Sequence, residues 1–280
     1  RGERTLPAYH YLRRFNGKVF LGAFGTDYYY IRACMETDTY RYSDFKTGNC
    51  YRDTDFNKMT LQDWYYGGAA HATRTIAESC NGIMACLWEY YVAYQLLFPE
   101  KTAFVPLPIN LHKIVSRIRT VPEILNFFIG IQNFKDTVKG TDVMLPVLQE
   151  VQRKHPDLCR ITEVHDVPYA RYQQLMDDAD VQLDQLYSYT PSMNSLLAMA
   201  KGVTVVGGGE PENYEILNET ELRPITNVLP DEQDIYKKLE EIVLHKERIP
   251  ELSAQSVAYV AKHHDHIKVA RQYLDFWERH

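Results

Sequence analysis

From residue 126 onward the chain alternates short apolar runs with segments of helical spacing, and that alternation leaves few folds open. The apolar runs are "NFFIGI" (126–131), "RITEV" (160–164), "VQLDQL" (181–186) and "VTVV" (203–206). Helical stretches lie between them at 139–154, 168–179 and 192–201, and another starts at "PENYEIL" (211–217). In the first, Val143, Leu145, Val147, Leu148 and Val151 recur at near-helical spacing. Strands alternating with helices imply parallel strands joined by crossovers, an α/β fold.

The first hundred residues carry the same pattern more faintly. "GKVFLGAFG" (17–25) reads as a buried strand feeding the loop "FGTD". Residues 28–59 are rich in Tyr and Asp without a clear period and read as loop with short elements. "TLQDWYYGGAAHATRTIAESC" (60–80) reads as one helix despite Gly67 and Gly68. "GIMACLW" and "TAFVPLPIN" read as strands flanking the helix "EYYVAYQLLF". Prolines then punctuate the chain from Pro106 to Pro122. The expected organisation is therefore two doubly wound, Rossmann-like domains, the first short or truncated: residues 1–108, a linker at 109–125, a second domain at 126–262, and a C-terminal helix at 263–280 that can cross back to the first domain. Such a division suits 280 residues of ordinary composition, 45% hydrophobic and 24% charged.

Composition narrows the function classes. A net charge of −6 argues against a nucleic-acid partner. There is no apolar run long enough to span a bilayer, and "RGERTLPAYHYLRRF" lacks the apolar core of a secretory signal. The five cysteines are scattered, with no CxxC pair, which suits a reducing compartment and gives no zinc framework. "KHHDHIK" (262–268) and His71 form no zinc pattern either, so no metal and no cofactor is expected. The 21 tyrosines are unusual; those at 28–30, 40, 42 and 51 suggest either a sugar-stacking cleft or core and interface packing.

Ligands of open α/β sheets bind beyond the carboxyl ends of the strands, so the strand-end loops hold the candidates. "IGIQNFKDTVKGTD" (129–142) brings Gly130, Gln132, Lys135 and Lys139 to a helix start, a phosphate-binding arrangement unless the lysines are only solvated. "YSYTPSMNS" (187–195) offers Thr190 or Ser192 as helix cap, Pro191 at the first helical position, and the amides of Ser192, Met193 and Asn194 for a phosphate oxygen or sugar hydroxyl; the alternative is a plain cap. "VVGGGEPENYEIL" (205–217) permits close backbone approach at its glycines, and Glu210, Glu212 and Glu215 are ligand groups or dipole partners. In the first domain, Gly25, Thr26 and Asp27 end a strand; Asp27 is a base, a sugar-hydroxyl acceptor or a turn residue.

The order of these segments resembles the retaining GT-B glycosyltransferases of family 4, or group 1. "LLAMAKGVTVVGGGEPE" resembles that family's "lEAMAxGxPVVxxxxGGxxE", and "VPYARYQQLMDDADVQLDQ" its loop–helix–aDv segment. "FFIGIQ…VKGTDVMLPVLQEVQRKHPD" resembles the opening of its second domain, "VPLPIN" its "vpNGvD", "HHDHIKVARQYLDFW" its C-terminal helix, and "GAFGTD" its "fHGsD". The resemblance covers most of residues 100–280 and, more weakly, 17–100.

It implies a nucleotide-sugar donor as substrate, held by the second domain, and a glycan or lipid-linked acceptor held by the first, with retention of configuration and no metal. Lys139 falls at the family lysine that meets the donor diphosphate, the turn Thr190–Asn194 at the loop whose amides meet the donor, and Glu212 at the acid after the double glycine. Four positions depart. The family's paired acids fall at Tyr189 and Leu197, its arginine at Ile131 with Gln132 and Lys135 as substitutes, and its first-domain histidine at Phe24. No catalytic residue is assigned on this reading, and two alternatives stay open: a non-catalytic homologue that binds sugar or nucleotide or supports a partner enzyme, and another doubly wound enzyme such as a sugar-nucleotide epimerase. The expected location is the cytoplasm, with peripheral attachment to the inner face of the membrane compatible with the resemblance.

Overall fold

The computed structural model describes residues 5–132 and 134–280; residues 1–4, where the first-domain range begins, and Asn133, inside the loop 129–142, lie outside the described residues. The elements follow in chain order: α1 (Thr5–Phe15), β1 (Phe20–Ala23), α2 (Tyr28–Glu36), β2 (Lys46–Thr47), β3 (Cys50–Tyr51), α3 (Asp55–Trp64), α4 (Gly68–Ser79), β4 (Gly82–Ala85), α5 (Trp88–Gln95) and β5 (Thr102–Phe104). After them come β6 (Leu125–Ile131), α6 (Asp136–Lys139), α7 (Thr141–Lys154), β7 (Cys159–His165), α8 (Tyr169–Asp177), β8 (Val181–Leu183), α9 (Met193–Ala200) and β9 (Thr204–Gly207). The chain closes with α10 (Pro211–Ile216), β10 (Ile225–Asn227), α11 (Glu232–Leu244), α12 (Ile249–His263) and α13 (His266–Arg279).

These elements form two compact units, residues 1–107 with 267–280 and residues 108–266. The first holds a parallel sheet in the order β1-β4-β5. Ala23, Ile83 and Ala85 from its strands meet Tyr29, Ala77 and Tyr94 from the helices in one apolar cluster. The second holds a parallel five-stranded sheet, β10-β9-β8-β6-β7. Its core joins Leu125, Phe127 and Ile129 of β6 to Met144, Leu148 and Val151 of α7 and Ile235, Leu239 and Val243 of α11. The α/β class with parallel sheets is thus as expected. The stretch 109–125 runs with the second unit, where the Arg117 amide donates to the Lys201 carbonyl and the Arg119 amide to Ser253 Oγ.

Three local expectations change. Residues 28–59 hold α2, the first half of α3 and the small β2–β3 hairpin, and Tyr29, Tyr30, Tyr40 and Tyr42 face inward as buried core residues, so the sugar-stacking cleft is not formed by them. Residues 60–80 are two helices, not one. Gly67 caps α4, and a Cβ there would stand 2.5 Å from the Gln62 carbonyl oxygen. The helix expected at 139–154 is broken at Gly140, whose φ of 74° is left-handed and ends α6 before α7 begins. One strand, β10, went unseen, since its three residues include a single buried apolar one.

Candidate functional site

In the second unit β6 and β7 end side by side, and a cavity of about 480 Å³ opens at those carboxyl ends. Gly130, Gln132, Lys139, Tyr169, Tyr172 and Asn194 line it. Gly130 makes room for its neighbour: a Cβ would fall 2.6 Å from the ring and hydroxyl of Tyr172. That ring packs edge-on against Phe128, with centroids 5.0 Å apart, and its hydroxyl accepts a 2.9 Å hydrogen bond from Asn194 Nδ2. Burial, together with the charge of Asp184, pushes the Tyr172 phenol well above its ordinary value, so it stays protonated at neutral pH.

Beneath the cavity sits a buried carboxylate that organises its cationic side. Asp184 follows β8 and is 2% exposed. Its Oδ2 accepts from Ser192 Oγ at 2.6 Å and Ser195 Oγ at 2.5 Å, and its Oδ1 lies 3.5 Å from Lys139 Nζ. Lys139 ends α6, and its carbonyl accepts the Leu186 amide at 2.9 Å, which ties the lysine's backbone to the loop after β8. Ser192 occupies the cap position of α9 but gives no side-chain cap bond, because its hydroxyl is turned to Asp184. The capping expected of Thr190 or Ser192 is therefore absent, and Pro191 precedes the cap instead of opening the helix. The first-turn amides of α9 thus carry no side-chain cap, and Lys139, at 20% exposure, stands beside Asp184.

The remaining donor-side candidates do not line the cavity. Thr190 is buried, and its carbonyl accepts the Ser188 hydroxyl. Lys135 and Met193 are exposed and outside the lining of the cavity, and Glu212 stands half-buried in the first turn of α10. The glycine turn serves close packing: a Cβ on Gly208 would meet the carbonyl oxygens of Ser188 at 2.6 Å and Thr190 at 3.0 Å. Glu210 caps the turn by accepting from Asn227 Nδ2 at 2.7 Å. Tyr189 is fully buried, and Leu197 lies one turn along α9 from Asn194. Sequence reasoning passed over Asp184, Tyr169 and Tyr172. Tyr169 and Tyr172 lie on α8, after the strand end of β7, and Asp184 follows β8; their types and spacing alone gave no signal of a site.

The first unit has its own cavity, of about 320 Å³, where Gly25, Thr26 and Asp27 meet Leu21, Phe24 and Trp64. Asp27 is fully engaged there. Its Oδ1 accepts from the Tyr29 and Tyr30 amides as the cap of α2, and its Oδ2 accepts from the Tyr94 hydroxyl at 2.6 Å. Burial raises its pKa to about 6 against the lowering effect of those bonds. Among the described residues no cluster of three His, Cys, Asp or Glu side chains could hold a metal ion, and no helix is long and apolar enough to cross a membrane. His263 instead bonds the buried Glu219 at 2.5 Å, and Lys262 meets the same oxygen at 2.8 Å.

No protein-family model matches the chain, and no curated protein matches it in sequence. Solved structures do match in fold. Sucrose-phosphate synthase from Thermosynechococcus elongatus aligns over 97% of this chain and 70% of its own, with a TM-score of 0.61 and 12% identity. WaaG, a glycosyltransferase involved in lipopolysaccharide biosynthesis, aligns over 96% and 80%, with a TM-score of 0.58 and 13% identity. A mutant form of TarM from S. aureus, in complex with Fondaparinux, alpha-GlcNAc-glycerol and UDP, aligns over 75% of this chain at a TM-score of 0.57 and 11% identity; the match spans 47% of the TarM chain. At these identities the likeness is one of fold, the α/β architecture of GT-B glycosyltransferases.

Proposed function

We propose that this protein is a glycosyltransferase that transfers the sugar of a nucleotide-sugar donor to a glycan or lipid-linked acceptor with retained configuration. One observation carries the reading: Lys139 and Asn194, in the first turn of α9, line one cavity beyond the carboxyl ends of β6 and β7, the place where open α/β sheets bind nucleotides. The solved complex of a protein of similar fold with UDP supports it. In this mechanism the donor diphosphate is held by the Lys139 ammonium and the first-turn amides of α9. Asp184 occupies one side of the ammonium, and the remaining N–H groups face the ligand. Negative charge grows on the diphosphate as the glycosyl bond breaks, so donors fixed in place before reaction lower the barrier most. The cavity of Gly25 and Thr26 receives the acceptor, with Asp27 shaping its floor; the enzyme works in the cytoplasm at the inner membrane face.

A second reading, a homologue that binds the donor without turnover, is favoured by Tyr189 and Leu197. Neither brings a negative charge to the donor, and Tyr189 is sealed from solvent. A thermal-shift panel of uridine and guanosine sugar nucleotides tests both, since a ligand of the native state raises the melting point. At least one should do so, and that donor should release free nucleoside diphosphate when acceptor glycans are added. Binding without release identifies the second reading; a folded protein that none of the panel stabilises defeats both.

A further inference from the structure

Tyr172 and Asn194 touch each other, but neither uses its full hydrogen-bonding capacity on the protein. The phenol oxygen accepts from Asn194 Nδ2 at 2.9 Å. Among the described residues, no group takes the Tyr172 hydroxyl proton, and none bonds the Asn194 amide oxygen. Both side chains line the cavity at the ends of β6 and β7. The pair therefore offers that cavity the Tyr172 O–H as donor beside the Asn194 Oδ1 as acceptor, with the second Asn194 N–H as a further donor. Turning the Asn194 amide over exchanges the roles, the amide N–H groups donating and the phenol oxygen accepting, and still leaves a donor beside an acceptor.

Much of the local structure is spent on holding this pair. Gly130 lacks the Cβ that would strike the Tyr172 ring at 2.6 Å, and Phe128 fixes the ring edge-on. Asn194 is the second residue of α9, whose start is pinned by the Ser192 and Ser195 bonds to Asp184. Burial keeps the phenol protonated and able to donate. Leu197, one turn further along the helix, adds no polar atom.

Adjacent hydroxyls on a sugar ring present the complementary pattern, one oxygen accepting while its neighbour donates. We infer that Tyr172 and Asn194 read a vicinal diol of the donor, the ribose 2′,3′-diol or a hydroxyl pair of the transferred sugar. This rests on the nucleotide-sugar reading above. The pair determines specificity by contact; it holds no proton in flight and takes no part in bond breaking.

Calorimetry on the full chain decides it, with UDP, 2′-deoxy-UDP, 3′-deoxy-UDP and UDP-glucose as probes and with Tyr172→Phe beside the unaltered protein. Tyr172→Phe keeps the ring on Phe128 and removes only the hydroxyl; Asn194→Ala is the second variant should the first fold poorly. If the pair reads ribose, UDP binds about tenfold more tightly than either deoxy form, and Tyr172→Phe brings that ratio close to one, the loss of about one hydrogen bond. If it reads the transferred sugar, the deoxy forms bind like UDP, UDP-glucose binds more tightly than UDP, and the variant erases that gain. The inference is overturned if nucleotides bind and neither contrast changes in either variant. Should the unaltered protein bind neither these probes nor their guanosine counterparts, the nucleotide-sugar reading fails with it, a result distinct from bound nucleotide without diol discrimination.

Discussion

Replacing Gly140 by alanine tests how the chain places Lys139. Gly140 has φ of 74°, a left-handed conformation that costs a residue with a Cβ about 1–2 kcal/mol. The added methyl would lie 2.5 Å from Leu186 Cβ, 2.8 Å from Leu186 Cδ2 and 2.9 Å from Tyr187 Cε2. Leu186 cannot swing aside: the contact is at the root of its side chain, it is 1% exposed in the core, and its amide is bonded to the Lys139 carbonyl. Overpacking of this kind adds about 1–3 kcal/mol. The total is about 2–5 kcal/mol, or a fall in melting temperature of about 2–4 °C per kcal/mol for a unit of this size. Gly17→Ala is the control, because nothing lies within 4 Å of the Cβ it would add, and its expected effect is below about 0.5 kcal/mol. Urea unfolding followed by far-UV circular dichroism reads the stability, and calorimetry with a UDP-sugar reads the displacement of Lys139. A Gly140→Ala protein as stable as the control, with donor affinity unchanged, refutes the reasoning.

Other changes have defined outcomes. Asp184→Asn keeps the side-chain volume but leaves Lys139 without its counter-charge and weakens two serine bonds, so urea unfolding should show a loss of about 1–3 kcal/mol. Glu219→Ala strips the partner from His263 and Lys262 and the acceptor from the Glu221 and Leu222 amides; breaking this buried pair should cost about 3 kcal/mol in the same assay. Burial raises Asp27 and Asp44 each to about 6. The folded chain then holds more protons than the unfolded chain between the ordinary aspartate range and pH 6, so stability should fall as pH rises through that window and level off above it. Asp27→Asn, which keeps the cap, should remove its share of the slope in urea midpoints measured from pH 4 to 7 and leave the share of Asp44.

The α/β class was legible because parallel strands buried on both faces read as continuous apolar runs; "NFFIGI" and "VTVV" admit few other readings. Elements without that signature were not legible. Tyr29, Tyr30, Tyr40 and Tyr42 are core residues in an amphipathic disguise, each with an apolar ring and a polar tip, so they hid the period of α2. β10 is too short to carry a pattern. At the candidate site, Gly130, Gln132, Lys139 and Asn194 line one cavity, as strand-end loops of a parallel sheet must converge. Asp184 and Tyr172 were missed because their roles come from tertiary contact: an acid at a strand end and a tyrosine on a helix say nothing until Ser192, Ser195, Lys139 and Asn194 are brought to them. Ser192 shows the same limit, since a residue placed to cap α9 gives its hydroxyl to Asp184 instead.

The proposed glycosyl transfer depends on Lys139 as the group that holds a donor diphosphate. Titration of the full chain with UDP, before and after Lys139→Ala, is the direct measurement. The unaltered protein should bind, and the variant should lose about ten- to a hundredfold in affinity, the worth of one charge-assisted hydrogen bond to phosphate, while far-UV circular dichroism shows it folded. Equal affinity for UDP in the two proteins would contradict the account.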